Sequence, residues 1–239
     1  MPNFVALNVN EHKNLKFKRH QDLKHTSDLH ITPVCVQEFS AVCHEYPILF
    51  VQDNGSEEFR PVALLGIKPQ QNLFYKEGGW HADYIPEYLR LYPFILTVDP
   101  NDKDQGMLCF DSECEGINES EGEAFFNEDG SQTEFTKGIG EFIATYNAKS
   151  KSTVNFGKEL ADRGLLISKN LELQLANDEK YNLTGLHIID EDKLQNLTDE
   201  EFIDLRKNNL LAAIYAQLLS LSRIAKLLQL SNNQLADEK

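Results

Sequence analysis

Positive charge is scarce in this chain. Its 239 residues carry 23 Lys and Arg against 38 Asp and Glu, a formal net charge of −15. So acidic a protein repels phosphate backbones at long range, and nucleic-acid binding would need a strong local exception. The one basic run, Lys13 to Lys24, sets Lys13, Lys16, Lys18, Arg19 and Lys24 against Glu11 and Asp22, with Phe17 as its single aromatic. That is the composition of a solvated basic face, and no nucleic-acid partner is expected. Long apolar runs are missing too. The nearest to a membrane span, Leu210 to Leu230, is interrupted by Gln217, Ser220, Ser222, Arg223, Lys226 and Gln229. Each buried cation would cost roughly 2.5–3.5 kcal/mol in hydrocarbon, so no membrane span is expected. The opening Met-Pro-Asn-Phe-Val-Ala-Leu has no basic segment ahead of an apolar one, so no signal peptide is expected either.

Cysteine is sparse. Cys35, Cys43, Cys109 and Cys114 form no CxxC pair and carry no His at a zinc-ligand spacing. Without an export signal they read as reduced, buried thiols of a cytoplasmic protein. His12, His20, His25 and His30 are spaced by eight, five and five, which fits neither one helix face nor one strand face, and no metal site is expected. Gly-x-Ser-x-Gly, Walker and dinucleotide fingerprints are absent. Catalytic residues and cofactors are therefore unassigned.

What is present is a large apolar complement, with 14 Phe, 8 Tyr and 41% hydrophobic residues, enough for a real core. The first half reads as strands and turns. Phe4–Leu7 is a short run, and 47–51 and 59–67 flank an Asp53-Asn54-Gly55-Ser56 turn as a hairpin in which Pro61 must avoid the ladder. Residues 71–75 read as another strand ended by Gly78-Gly79, and 83–91 as a short helix with Pro86 in its first turn. Residues 94–98 and 107–110 read as a hairpin across 99–105.

Residues 111–134 hold nine acids and no Lys or Arg, which reads as a solvated connection turning at Asn127–Gly130. Beyond it the period becomes helical: Phe135, Ile139, Phe142, Ile143 and Tyr146 mark one helix, and Val154, Leu160 and Leu165 a second, closed by Gly164. Residues 171–175 and 181–189 read as a hairpin; Asp190 and Thr198-x-x-Glu201 read as helix caps. A closing helix from about Asn209 carries Leu211, Ile214 or Tyr215, Leu218, Leu221, Ile224 or Ala225, and Leu228, a core face with a homodimer seam as the alternative. The expected fold class is α+β, a mostly antiparallel sheet from the N-terminal half packed with helices mainly from the C-terminal half. One domain over residues 1–230 is expected, with 111–134 as the place it could subdivide and 231–239 as a polar tail.

The most distinctive stretch is Glu77-Gly78-Gly79-Trp80-His81-Ala82-Asp83-Tyr84. Two glycines allow a tight turn, and the only Trp, with His81 and Tyr84, offers stacking surface and polar handles. Trp80, His81, Asp83 and Tyr84, with Arg90, are the ligand-binding candidates. The competing reading is a structural turn whose Trp plugs the core.

An ordered series of motifs runs through the chain: Glu38-Phe39, Tyr46-Pro47-Ile48-Leu49-Phe50, Arg60-Pro61-Val62-Ala63-Leu64-Leu65-Gly66, Asn72-Leu73-Phe74, Trp80, Tyr84-Ile85-Pro86-Glu87-Tyr88-Leu89-Arg90 and Tyr92-Pro93-Phe94. It continues through Leu108-Cys109, Gly122 to Phe126, Phe142, Gly164-Leu165-Leu166, Gly185-Leu186 and Tyr215 to Leu221. In this series the chain resembles the SapC family of bacterial proteins over nearly its whole length. The resemblance is not to the peptide-transporter permease of the same name, which spans the membrane. It implies a soluble accessory or binding protein with a protein partner or small ligand, linked to nutrient uptake or modification alongside TonB-dependent receptors and halogenase-like or cupin-like enzymes. Two alternatives stand beside it, an enzyme of unknown reaction, with or without a metal, and a structural protein associated with a surface layer.

Overall fold

The computed structural model describes residues 3–19, 23–52, 56–76, 78–98 and 106–237. In chain order its first elements are β1 (Phe4–Ala6), α1 (Val9–His12), β2 (Lys16–Phe17), β3 (Ile31–Pro33), α2 (Phe39–Val42), β4 (Ile48–Gln52) and β5 (Phe59–Leu64). There follow β6 (Tyr75–Lys76), β7 (Gly79–Trp80), β8 (Phe94–Val98), β9 (Gly106–Asp111), β10 (Ile117–Asn118) and β11 (Glu123–Ala124). The last are α3 (Glu134–Asp162), β12 (Leu166–Gln174), β13 (Lys180–Ile189), α4 (Glu191–Gln195), α5 (Asp199–Lys207), α6 (Leu211–Ser220) and α7 (Ile224–Asp237). The class is α+β, as the sequence led one to expect, with antiparallel pairing between all the strands. The chain divides into two compact units, Met1–Asp22 with Tyr88–Ala148, and Leu23–Glu87 with Lys149–Lys239.

In the first unit β8 and β9 form the expected hairpin, and β1 adds to the far side of β9. The hairpin loop at 99–105 lies outside the described residues. The acidic stretch from 111 is more than a solvated connection: β10 and β11 both pair with β2, and Phe125 and Phe126 are buried with Phe17, Phe94, Phe110 and Ile143. Its apolar residues, not its acids, decide its place. Three lysines of the basic run cover it. Lys18 pairs with Glu121 at 2.5 Å, Lys13 donates to the Glu128 carbonyl at 2.9 Å and Lys16 to that of Ser120 at 3.2 Å. Asp111, also buried, accepts from the Asn3 and Glu113 amides and from the Tyr92 hydroxyl, which ties the start of the chain to the end of β9. Burial pulls its pKa upward, but these hydrogen bonds outweigh it and hold the carboxyl below the ordinary range.

In the second unit the sheet order is β12-β13-β4-β5-β3. The hairpin of β4 and β5 runs from Ile48↔Ala63 to Gln52↔Phe59; its turn at 53–55 lies outside the described residues. Pro61 gives its carbonyl to the Val34 amide, beyond the last β3–β5 pair, so its missing N–H faces away from β4 and costs that ladder nothing. The β12–β13 hairpin is also as expected, with a bulge at Lys169/Leu171 that Gly185 accommodates at φ 74°. Helix α6 closes over the sheet through two buried polar side chains. Gln217 donates to the Ile48 carbonyl at 2.9 Å and accepts from the Ile189 amide at 3.2 Å, and Ser220 accepts from the Ile48 amide at 2.9 Å.

Several expectations are corrected. Residues 71–74 are buried but pair with no strand; only Tyr75–Lys76 is extended, against Gly79–Trp80. The helix expected over 83–91 shrinks to a 3-10 turn at Glu87–Arg90, because Pro86 can only precede it. The two helices read over 135–165 are one, since the stretch between Tyr146 and Val154 stays helical and the stop falls at Gly164. There Gly164 at φ 64° completes a Schellman cap, its amide bonding the Ala161 carbonyl and the Leu165 amide that of Leu160. The closing helix breaks at a 3-10 turn, Leu221–Arg223, and runs on through Asp237, so 231–237 is helical rather than a frayed tail. Leu211–Ala236 is, among the described residues, long and apolar enough to cross a membrane by length and composition, because Arg223 and Lys226 alone do not lower its hydropathy sufficiently.

Gly157 separates two effects that usually oppose each other. A Cβ there would lie 2.0 Å from the Phe59 carbonyl oxygen, whereas none built at Gly138 or Gly140 meets anything within 4 Å. Gly138→Ala and Gly140→Ala should each stabilise by about 0.5–1 kcal/mol through helix propensity, while Gly157→Ala should destabilise by about 1–3 kcal/mol despite the same gain. Urea unfolding midpoints of the three variants decide it, and an equal rise in all three would contradict the close packing of α3 on β5.

Candidate functional site

The hairpin of β6 and β7 needs both glycines that follow β6. Gly78 sits at φ 100° and Gly79 at φ 126°, conformations that L side chains rarely adopt. The turn delivers Trp80 half-buried onto the core. Its ring stacks on Phe74 with centroids 6.2 Å apart and leans on Tyr46 at 6.3 Å, both of which are fully buried. Its indole N–H donates to the Tyr46 hydroxyl at 2.9 Å and to the Tyr84 carbonyl at 3.2 Å, and the Tyr46 hydroxyl donates to the same carbonyl. The His81 amide bonds the Phe74 carbonyl at 2.7 Å, while the side chains of His81 and Asp83 stand exposed.

Beneath this segment lies a carboxylate. Glu38 ends a 3-10 turn, Val36–Glu38, from which its side chain reaches back to the Cys35 amide at 2.7 Å. Its other oxygen accepts from the Tyr84 hydroxyl at 2.8 Å and the Glu87 amide at 3.0 Å. Only 4% of Glu38 is exposed, so three donors from two distant pieces of chain replace its water. Burial raises its pKa above the ordinary value, and the bonds from the Glu87 and Cys35 amides and the Tyr84 hydroxyl offset only part of that rise. Around it, the Glu87 carboxylate takes Lys149 at 2.7 and 2.9 Å, and Thr153, one turn further along α3, accepts from the Val36 amide at 2.9 Å. The Cys35 thiol is pushed up to about 11 by burial first and the Glu38 charge second, which keeps it a thiol at neutral pH. All four cysteines are free, and three of them are buried.

The sequence candidates thus divide. Trp80 and Tyr84 meet at the Tyr84 carbonyl, with His81 and Asp83 on the outer surface of the same segment. Arg90 falls in the other unit, its guanidinium 5.7 Å from the centre of the Phe142 ring. Missed as site residues were Glu38, Tyr46, Lys149 and Thr153. Glu38 and Tyr46 stand inside quoted motifs, and an acid directly before a run of buried apolar residues was the available signal. Lys149 and Thr153 lie more than a hundred residues further along and carry none. Two surface clefts lie elsewhere in the second unit, one of about 350 Å3 along the β12–β13 hairpin and one of about 370 Å3 among α4, α5 and α6. Among the described residues no group of three or more His, Cys, Asp or Glu could hold a metal ion.

An α+β protein with a buried carboxylate fastening an aromatic hairpin is the class these observations define. The SapC family model matches residues 7–227, and the chain belongs to the SapC family. No curated protein and no solved structure matches it.

The buried carboxylate can be isolated by its pH signature. With the folded-state pKa raised, the folded chain binds this proton more tightly than the unfolded one. That contribution is complete below the unfolded value near 4.5 and is lost as pH rises through the folded value. Glu38→Gln keeps one carbonyl acceptor but turns an amide N–H2 toward donors, and should cost about 1–3 kcal/mol. The gap in unfolding free energy between parent and variant should be widest at acid pH and narrow toward neutrality in a urea series. A gap that widens with pH would place the Glu38 shift in the opposite direction.

Proposed function

We propose that the chain is a cytoplasmic accessory or binding protein, without a membrane span or a nucleic-acid partner, that takes a protein partner or small ligand on the Trp80–Tyr84 surface. The observation that carries this is the fixing of Trp80 while part of it stays in solvent. Its N–H is doubly bonded and its ring is stacked on Phe74, with exposed His81 and Asp83 beside it. A rigid aromatic anchor with a polar rim loses little conformational entropy on binding, which is why such residues dominate interface energetics. The buried groups support binding over chemistry: every Glu38 donor is internal and Cys35 stays protonated. A role beside TonB-dependent receptors and halogenase-like or cupin-like enzymes, in nutrient uptake or modification, rests on the family resemblance alone.

The test uses two variants because Trp80 also packs. Trp80→Ala should weaken capture of a partner by roughly thirtyfold or more, the scale of an interface hot spot. His81→Ala with Asp83→Ala touches only exposed side chains and should weaken capture while leaving the far-ultraviolet circular dichroism and the unfolding midpoint unchanged. Capture by tagged protein from a lysate, quantified for each variant, is the measurement. Unchanged capture by the surface double variant sinks the reading.

A further inference from the structure

Helix α6 is apolar on more than the face it buries. Ala213, Ile214 and Ala216 face the core together with Gln217 and Ser220, yet Tyr215 is 46% and Leu219 68% exposed, one turn apart on the other side. A helix apolar all round is normally covered all round. Next to it Phe202 and Ile203 of α5 are exposed as well. Between the helices opens the cleft of about 370 Å3, with Leu194, Leu197, Phe202, Tyr215 and Leu218 in its lining. Local signals create it. Asp190 caps α4 and the Thr198–Glu201 box caps α5, so two short helices start in quick succession, and Asn209 at φ 57° turns the chain into α6.

The cleft carries charge of one sign. Glu191 and Asp199 also line it; both are exposed, and among the described residues neither makes an ion pair. From 190 to 204 the chain has seven carboxylates and one cation, Lys193. This selects the occupant. A second copy would bring the same carboxylates face to face, and an anionic bilayer would be repelled by them. A cationic surface is attracted, and its apolar side chains need the apolar floor. Helix-in-groove binding supplies both, with anchors at i, i+3 or i+4 and i+7 flanked by Lys or Arg.

We propose that the α4–α6 cleft docks a cationic amphipathic helical segment of a partner protein. Such docking covers Tyr215 and Phe202 and pairs Glu191 and Asp199 with the segment's cations. The site is separate from the Trp80 surface, so the two readings stand or fall independently.

The probe is a short labelled peptide with a leucine stripe and lysines on its remaining face, titrated against the full chain by fluorescence anisotropy at low salt. The expected result is binding at about micromolar concentration, at least about tenfold tighter than for the same peptide with every lysine replaced by glutamate, and weakening with added salt. Tyr215→Ser should lose the binding, and Glu191→Lys with Asp199→Lys should reverse the preference between the two peptides, which an unfolded variant could not do. Trp80→Ala should leave it unchanged. Equal binding of both peptides, no reversal by the charge-swapped variant, concentration-dependent dimers abolished by Tyr215→Ser, or binding to phosphatidylglycerol vesicles lost in that variant would each overturn the proposal.

Discussion

A carboxylate taken out of water has to be met by donors, and the donors of Glu38 come from two separate stretches of chain. This requirement orders much of the second unit. The Cys35 amide fixes the turn ahead of α2, and the Glu87 amide fixes where the 3-10 turn Glu87–Arg90 begins. The Tyr84 hydroxyl turns the backbone of that segment so that its carbonyl meets both the Tyr46 hydroxyl and the Trp80 indole. Hydrogen bonds to a charged group are worth about 1.5–3 kcal/mol each, so they can offset the several kcal/mol that burying a charge costs. The raised pKa says that the offset is incomplete. Glu38 is therefore better understood as a device of positioning than as a source of stability. What it positions, at the end of this chain of bonds, is the half-exposed edge of Trp80.

The first unit solves the same problem with the opposite balance. Asp111 is also buried and also takes a tyrosine hydroxyl and two amides, yet its pKa falls. There the hydrogen bonds outweigh desolvation, so Asp111 favours folding in its charged form, where Glu38 disfavours it. Joining the first residues to the end of β9 is then a stabilising link. Three lysines of the basic run, directed at Glu121 and at the carbonyls of Ser120 and Glu128, act on the same unit as a surface cover over its acidic segment. Lys13, Lys16 and Lys18, read as part of a solvated basic face, are thus engaged within the first unit.

What could be read from the sequence was local. The β4–β5, β8–β9 and β12–β13 hairpins follow from apolar runs on either side of turn residues, and the caps at Asp190 and Thr198 from side chains that bond amides three residues on. The misreadings occur where a distant contact overrides a local preference. No local signal joins the Phe135–Tyr146 stripe to Val154 and Leu160, but the missing side chain of Gly157 lets α3 approach the Phe59 carbonyl, and one helix runs through both. Residues 71–74 have the apolar content of a strand, but Asn72 is held by its amide N–H2 on the Thr26 carbonyl and Gln71 by Gln234, so no ladder forms. Of the site, Trp80, His81, Asp83 and Tyr84 were visible as an unusual aromatic turn. The carboxylate that orients them was not, because a Glu among 38 acids becomes distinctive only when its burial is known.

Helix α6 shows why composition alone misjudges the C-terminal segment. Hydropathy ranks Leu211–Ala236 with membrane-crossing helices, since its leucines outnumber its two cations. Position then separates its residues. Gln217 and Ser220 sit on the most buried face and satisfy backbone groups of Ile48 and Ile189, which only a sheet beneath the helix could present to them. Lys226 lies across Phe74 and pairs with Glu45 at 2.6 Å, so a charge inside the apolar segment is neutralised by the fold rather than by water or a headgroup. The polar residues thus assign one face of the segment to the core, and the leucine and tyrosine left on the other face are surplus to it. That apolar surplus, beside Glu191 and Asp199, which make no ion pair among the described residues, is what the proposed docking of a cationic helix rests on.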